Sequence, residues 1–118
     1  MNLQPSVLNV DLGVFSINGS ATPGTSSASQ KRIFPFLAIQ FQVFSTVGSP
    51  VLNFDISTDE VNWRQCTFAE SANTANVNSV TAPPTGYIGI VTIRPVFWRL
   101  RVVGAGTSIV VKVTGILS

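Results

Sequence analysis

The 118-residue chain contains no histidine, one cysteine and few charges of either sign. Without histidine there is no Ser-His-Asp or Cys-His device, because both need an imidazole to take the nucleophile's proton. One cysteine excludes an intrachain disulfide. Cys66 reads as a small buried hydrophobe; a reactive thiol would need a base beside it, and Lys or Arg serve poorly at neutral pH. One Cys, no His and five acidic residues make a zinc site implausible. No apolar run approaches the roughly 18 residues of a membrane-spanning helix, so no membrane partner is expected. The opening MNLQPSVLNVD has neither a basic n-region nor an apolar h-region, so it does not read as a secretion signal.

Charged residues make up 10% of the chain and apolar ones 45%, with a mean hydropathy of +0.39. A soluble domain usually carries about 25% charged residues. A small domain exposes much of its surface, so here that surface must be built from Ser, Thr, Asn, Gln and apolar groups. Such a surface suits a protein partly covered by other subunits. The net charge of +2 is small and scattered, and it predicts no nucleic-acid partner. The length suits one domain with one modest core.

The rest of the chain is patterned for strands. Leu52, Phe54 and Ile56 alternate with Asn53, Asp55 and Ser57, the period of a half-buried strand. Ser57-Thr58-Asp59-Glu60 supplies turn chemistry. A second extended run, 62–68, completes a hairpin and carries Trp63. In Phe97–Val103, Trp98, Leu100 and Val102 face one way and Arg99 and Arg101 the other. Residues 33–44 are the most apolar run, and Gln40 and Gln42 give its second half one wet or interface side. A short strand is expected at 77–81, and further strands at 87–93 and 108–117. Gly48-Ser49-Pro50, Ile93-Arg94-Pro95-Val96 and Gly104-Ala105-Gly106-Thr107 are turns. No segment has a capped 3.6-residue stripe. Turn signals recur every 8–12 residues or so, which predicts an all-β, single-domain sandwich of seven or eight antiparallel strands. Eight strands in two sheets would be jelly-roll-like.

The opening divides from the rest. Residues 1–30 read as an extended arm and a flexible loop, and residues 31–118 as the sandwich domain. In Leu8, Val10, Leu12 and Val14 the apolar side is even-numbered; at Phe15 and Ile17 it is odd-numbered. A parity switch beside Gly13 predicts a bulge or a bend. The slack loop 18–30 lets the first strand return to its own sheet or reach a neighbouring subunit.

Several groups could carry chemistry, and each has a plainer explanation. Asp55, Asp59 and Glu60 could ligate calcium, but acids are common in tight turns. Asp55 and Glu70 could be a glycosidase pair, yet nothing links them, and Asp55 is expected to point outward. Gly104-x-Gly106 joins two strands and reads as a hairpin turn. The aromatics could stack sugars or bases. Trp98, however, has core parity, Trp63 suits one end of a sandwich, and Tyr87 is the ring with a plausible exposed face. Arg64, Arg94, Arg99 and Arg101 form the one cationic group. Arg99 and Arg101 share a strand face, where a solvated surface or a bidentate contact with an acidic partner would both fit.

A strand ending Phe54-x-Ile56-Ser57, a Thr-Asp-Glu turn and then Val61-Asn62-Trp63 resembles small β-sandwich structural proteins of tailed bacteriophages, of decoration, cement or tail-associated kinds. In these a Ser/Asn-Asp-Gly-x-x-Trp hairpin precedes an aromatic-Arg-x-Arg-Val strand, a Gly/Thr/Ser turn and a last strand rich in Val and Thr. Here the pieces are Phe54–Trp63, Phe97–Val103, Gly104–Ser108 and Ile109–Ser118, within residues 51–118. Glu60 stands where the family usually has Gly. The resemblance implies a non-enzymatic virion component without a cofactor. It would be a capsid cement or decoration protein on the outer shell surface, made in the host cytoplasm. Its partners would be the major capsid protein and copies of itself, as a dimer or trimer. Leu8, Val10 and Leu12 of the arm, with Arg99 and Arg101, would be the partner-binding residues. The other reading is a tail- or head-fibre-associated adhesion module that binds host-surface carbohydrate, with Tyr87 as its platform.

Overall fold

Eleven strand segments and no helix make up the described part of the chain: residues 9–20, 27–31 (backbone only), 38–70, 76–92 and 97–116 of a computed structural model. In chain order they are β1 (Asn9–Asn18), β2 (Ser27–Lys31), β3 (Ala38–Val47), β4 (Val51–Ser57), β5 (Arg64–Cys66), β6 (Phe68–Glu70), β7 (Asn76–Val77), β8 (Ser79–Thr81), β9 (Ile88–Val91), β10 (Phe97–Val103) and β11 (Ser108–Ile116).

They form two sheets. One runs β1-β11-β3-β9-β6-β7; the other runs β2-β10-β4-β5, with β8 also on β4. The order follows from one long folded ribbon. β1 pairs with β11, β2 with β10, β3 with β9 and β4 with β5, all antiparallel. Rolling that ribbon closes β11 onto β3 and β10 onto β4. Eight principal strands in two four-stranded halves is the jelly-roll arrangement. The expectation of a seven- or eight-stranded sandwich holds, and β6, β7 and β8 are short additions of two or three residues.

Strict alternation builds the core. Every second residue of β10 and β11 is buried, so Trp98, Leu100 and Val102 face Ile109, Val111 and Val113 across the interior. An unbroken chain of rings crosses between the sheets. Phe68 meets Phe41 edge-on at 5.0 Å, Phe41 stacks on Phe54 at 6.1 Å, Phe54 stacks on Trp98 at 5.7 Å, and Trp98 meets Phe15 edge-on at 5.9 Å. Each such pair adds about 0.5–1.5 kcal/mol beyond the area it buries. Gly89 makes room for this stack, since a methyl group there would overlap the Phe41 ring.

The predicted bulge is present beside Gly13. The register slips between Asp11 and Gly13, so Leu12 is the extra residue. Phe15 and Ile17 then face the core opposite Val111 and Ile109, and Val14 is turned outward, 56% exposed.

Candidate functional site

The Arg99/Arg101 face is occupied from within. Asp55 lies on β4 directly opposite Arg99 on β10. Arg99 Nε donates to Asp55 Oδ2 at 2.9 Å. Arg101 Nε donates to the same oxygen at 2.7 Å, and its Nη2 donates to Oδ1 at 3.2 Å. The acidic partner expected from elsewhere is therefore already supplied by this chain. Asp55 does occupy the outward side of its strand, yet only 2% of it is exposed, because the two arginine side chains lie across it. Parity gives the direction of a side chain, not what neighbouring long side chains do above it.

The polar row continues along β4. Gln65 Nε2 donates to Asn53 Oδ1 at 2.7 Å and to the Asn78 carbonyl at 2.8 Å, and Asn53 Nδ2 donates to the Arg101 carbonyl at 3.3 Å. Asn53, Asp55 and Ser57 are all buried. Trp63 is half-buried on this face, with the Arg99 guanidinium 4.5 Å from its ring centre. Trp63 thus makes a cation–π contact.

The hairpin turn is closed on itself. Asp59 Oδ1 accepts from the Val61 and Asn62 backbone N–H groups at 2.9 and 2.8 Å and from Ser57 Oγ at 2.9 Å; Oδ2 accepts from Asn62 Nδ2 at 2.8 Å. These backbone donors hold the Asp59 carboxyl well below the usual carboxylate range. Its oxygens are committed to the turn. Among the described residues no cluster of three or more His, Cys, Asp or Glu is placed to hold a metal. Glu60 has a φ of 61°, the left-handed conformation that glycine adopts without strain. That is the physical reason for Gly at this place in the hairpins it resembles.

Tyr87 is half-buried and packs against the core. Its hydroxyl donates to Glu70 Oε2 at 2.6 Å. Burial first, and then the Glu70 carboxylate, push its ionisation above the ordinary tyrosine value. The ring is packed against the core and its hydroxyl is held by Glu70. Cys66 is buried opposite Phe54, and its thiol is pushed up by burial and by the Asp55 charge. Glu70 is on β6 with Tyr87, and Asp55 is under its arginines, so the two do not flank one cleft as a glycosidase pair.

The residues assigned to the arm separate. Leu8 of the arm, like Arg94 of the cationic group, lies outside the described residues. Val10 and Leu12 are in β1, which returns to its own sheet beside β11; Val10 is 38% exposed, and Leu12 packs against the core. The wet or interface side read along Gln40 and Gln42 belongs to the outer face of the six-stranded sheet; its apolar members on the other strands were not read. Val14, Phe44 and Val47 are exposed there, with half-buried Val110, Ile88 and Ile90 between Gln40, Gln42 and Lys112. A register slip between Val110 and Val111 leaves Phe44 unpaired on β3. Phe44 ends the run that alternates with Gln40 and Gln42, so its outward parity was visible. The low charge of the chain was the further signal that such a face existed.

No known family matches the chain, and no curated protein matches it. A solved structure does. The crystal structure of the SPBc2 prophage-derived protein YomS superposes with a TM-score of 0.68 over 98% of this chain and 99% of that chain, at 12% sequence identity. The chain has the fold of a prophage-derived protein. At that identity the likeness is one of fold, carried from end to end by the strand arrangement above.

Proposed function

We propose that the chain is a non-enzymatic structural protein of a bacteriophage particle, and within it a capsid cement or decoration protein seated over capsomer junctions. The observation that carries the reading is the end-to-end likeness to a prophage-derived protein. Three features support it. The carboxylates Asp55 and Asp59 are engaged in holding β4 to β10 and in closing a turn. The outer face of the six-stranded sheet is poor in charge and partly apolar. The hairpin, the aromatic-Arg-x-Arg-Val strand and the Val/Thr-rich last strand resemble those of phage structural proteins. A protein that binds only the assembled shell stabilises it by mass action, because it adds binding free energy to that state alone. The major capsid protein and other copies of this chain are the partners in this reading.

The test is mass spectrometry of purified particles from cells producing the encoding phage, with tail-less heads measured separately. The chain is expected in fixed ratio to the major capsid protein and on heads without tails. Heads lacking it are expected to break at lower temperature. Absence from particles overturns the virion role, and presence on tails only overturns the cement role.

A further inference from the structure

The outer edge of β1 carries a second pattern. β1 ends the six-stranded sheet and has ten residues, against two for β7, five for β2 and three for β5 at the other sheet ends. The Gly19 N–H donates to the Thr107 carbonyl at 2.8 Å, one step beyond the Asn18–Ser108 pair of the β1–β11 register. In an antiparallel ladder, pairs that exchange hydrogen bonds alternate with pairs that do not. Ile17 and Phe15 therefore turn their N–H and C=O groups toward β11. Val14, Ser16 and Asn18 turn theirs away from it, toward the edge that no described strand covers. The side chains of these three residues are exposed on the outer face.

That open length is bounded on both sides. The bulge at Asp11–Gly13 interrupts it before Val14. After Asn18 the chain leaves the sheet, and Ser20 bridges to Val103 of β10. The middle of what remains is Ser16. Placing a two-fold axis through Ser16 sets Ser16 against Ser16 and Val14 against Asn18. The three residues with outward backbone groups then meet the same three residues of the copy. Phe15 faces Ile17, so the core side of each strand stays on the core side. No residue from Val14 to Asn18 is charged, so the symmetric pairing opposes no like charges.

We propose that Val14–Asn18 is the self-association edge of this chain: a second copy pairs with it antiparallel about Ser16 and joins two six-stranded sheets into one. The occupant is a copy of the same chain because this edge, the longest at any described sheet end, carries no charge from Val14 to Asn18 and can meet itself in register without opposing like charges, as an isologous contact requires. This names a surface for the self-association in the shell reading. It is tested on the purified chain alone, so its failure is distinct from absence of the protein from particles.

The experiment measures the mass of the full chain by light scattering up to about 1 mM, which detects an association as weak as a Kd of about 1 mM. It is paired with oxidation of Ser16→Cys. Hydrogen-bonded antiparallel pairs have Cα atoms about 5.5 Å apart, within the roughly 4.4–6.8 Å that a disulfide spans. The mass is expected to rise from 12.6 kDa toward twice that value. Ser16→Cys is expected to give a covalent dimer, whereas Ser45→Cys, exposed on β3, is not. Ser16→Pro removes an edge N–H without touching the β11 ladder and is expected to abolish the mass increase. Ser16→Lys keeps the backbone and sets two ammonium groups against each other, so it gives the same reading if the proline variant fails to fold. A constant single-chain mass overturns the proposal. So do equal cross-linking of the two cysteine variants and a dimer that survives Ser16→Lys.

Discussion

Replacing Asp55 with Asn tests whether one carboxylate holds the two central strands of its sheet together. The side chain is isosteric, so the change removes charge and little else. Two guanidinium groups would then lie together over β4 with no counter-charge. Breaking a buried ion pair from one side costs about 3–5 kcal/mol. The arginine side chains keep 15% and 14% exposure, so water relieves part of that cost, and about 3 kcal/mol is expected. For a chain of this size a urea slope of about 1.5 kcal/mol per molar is reasonable, and the unfolding midpoint should fall by about 2 M. The sign should reverse in a background where Arg99 and Arg101 are both Met. There Asp55 is itself the uncompensated buried charge, and Asn at the same position should stabilise. Urea unfolding of the four proteins measures both effects. A loss below about 1 kcal/mol in the natural background, or the same sign in both backgrounds, would refute the assignment of Asp55 as the shared counter-ion.

Three further outcomes are expected. Gly89→Ala should destabilise by about 1–3 kcal/mol, read by thermal or urea unfolding, because the added methyl meets the Phe41 ring in the middle of the aromatic stack. Tyr87, the single tyrosine, should remain un-ionised in the folded chain as pH passes about 10; because its folded value is raised, its stability contribution is complete below the unfolded value and is lost as pH rises toward the folded one, and phenolate absorbance followed against unfolding checks both. Asp59 has a lowered folded value, so the stability it lends the 57–62 turn is present above the ordinary carboxylate range and lost as pH falls below that range toward the folded value; urea unfolding at a series of acid pH values checks this, and Asp59→Asn should abolish its share of the acid-side loss.

Much of the architecture was legible because β proteins write burial into alternate residues. Leu52, Phe54, Trp98, Leu100 and Val102 are on the predicted side, and the hairpin at Ser57–Glu60 and its distant partner strand are where the pattern put them. Sheet order was not legible, since pairing of β1 with β11 and of β10 with both β2 and β4 depends on contacts between residues far apart in the chain. The bulge was visible as a parity switch, but one residue of slip decides a face, so Val14 was assigned inward with Leu12. The arginines were read correctly as sharing a face. Their counter-ion was not, because Asp55 and Arg99 are neighbours only across a ladder between distant segments. The Glu70 partner of Tyr87 was hidden for the same reason: it reaches the ring through the β6–β9 pairing.

The place of β11 has a consequence for how the protein is made. In chain order it is the last strand, yet it lies between β1 and β3, and Asn9 is paired with Ile116. Until β11 is synthesised, the first strand has no neighbour in its own sheet, and the inner face of β3 has an open flank. Folding therefore cannot proceed from the start of the chain toward its end; the earliest segment waits for the latest. Contacts of such long range are slow to form, because the loop entropy is lost before they form. A chain ending before Ser108 would leave β1 without its neighbour and β3, paired to β9 alone, with one open edge, and insertion of one final strand would close both at once.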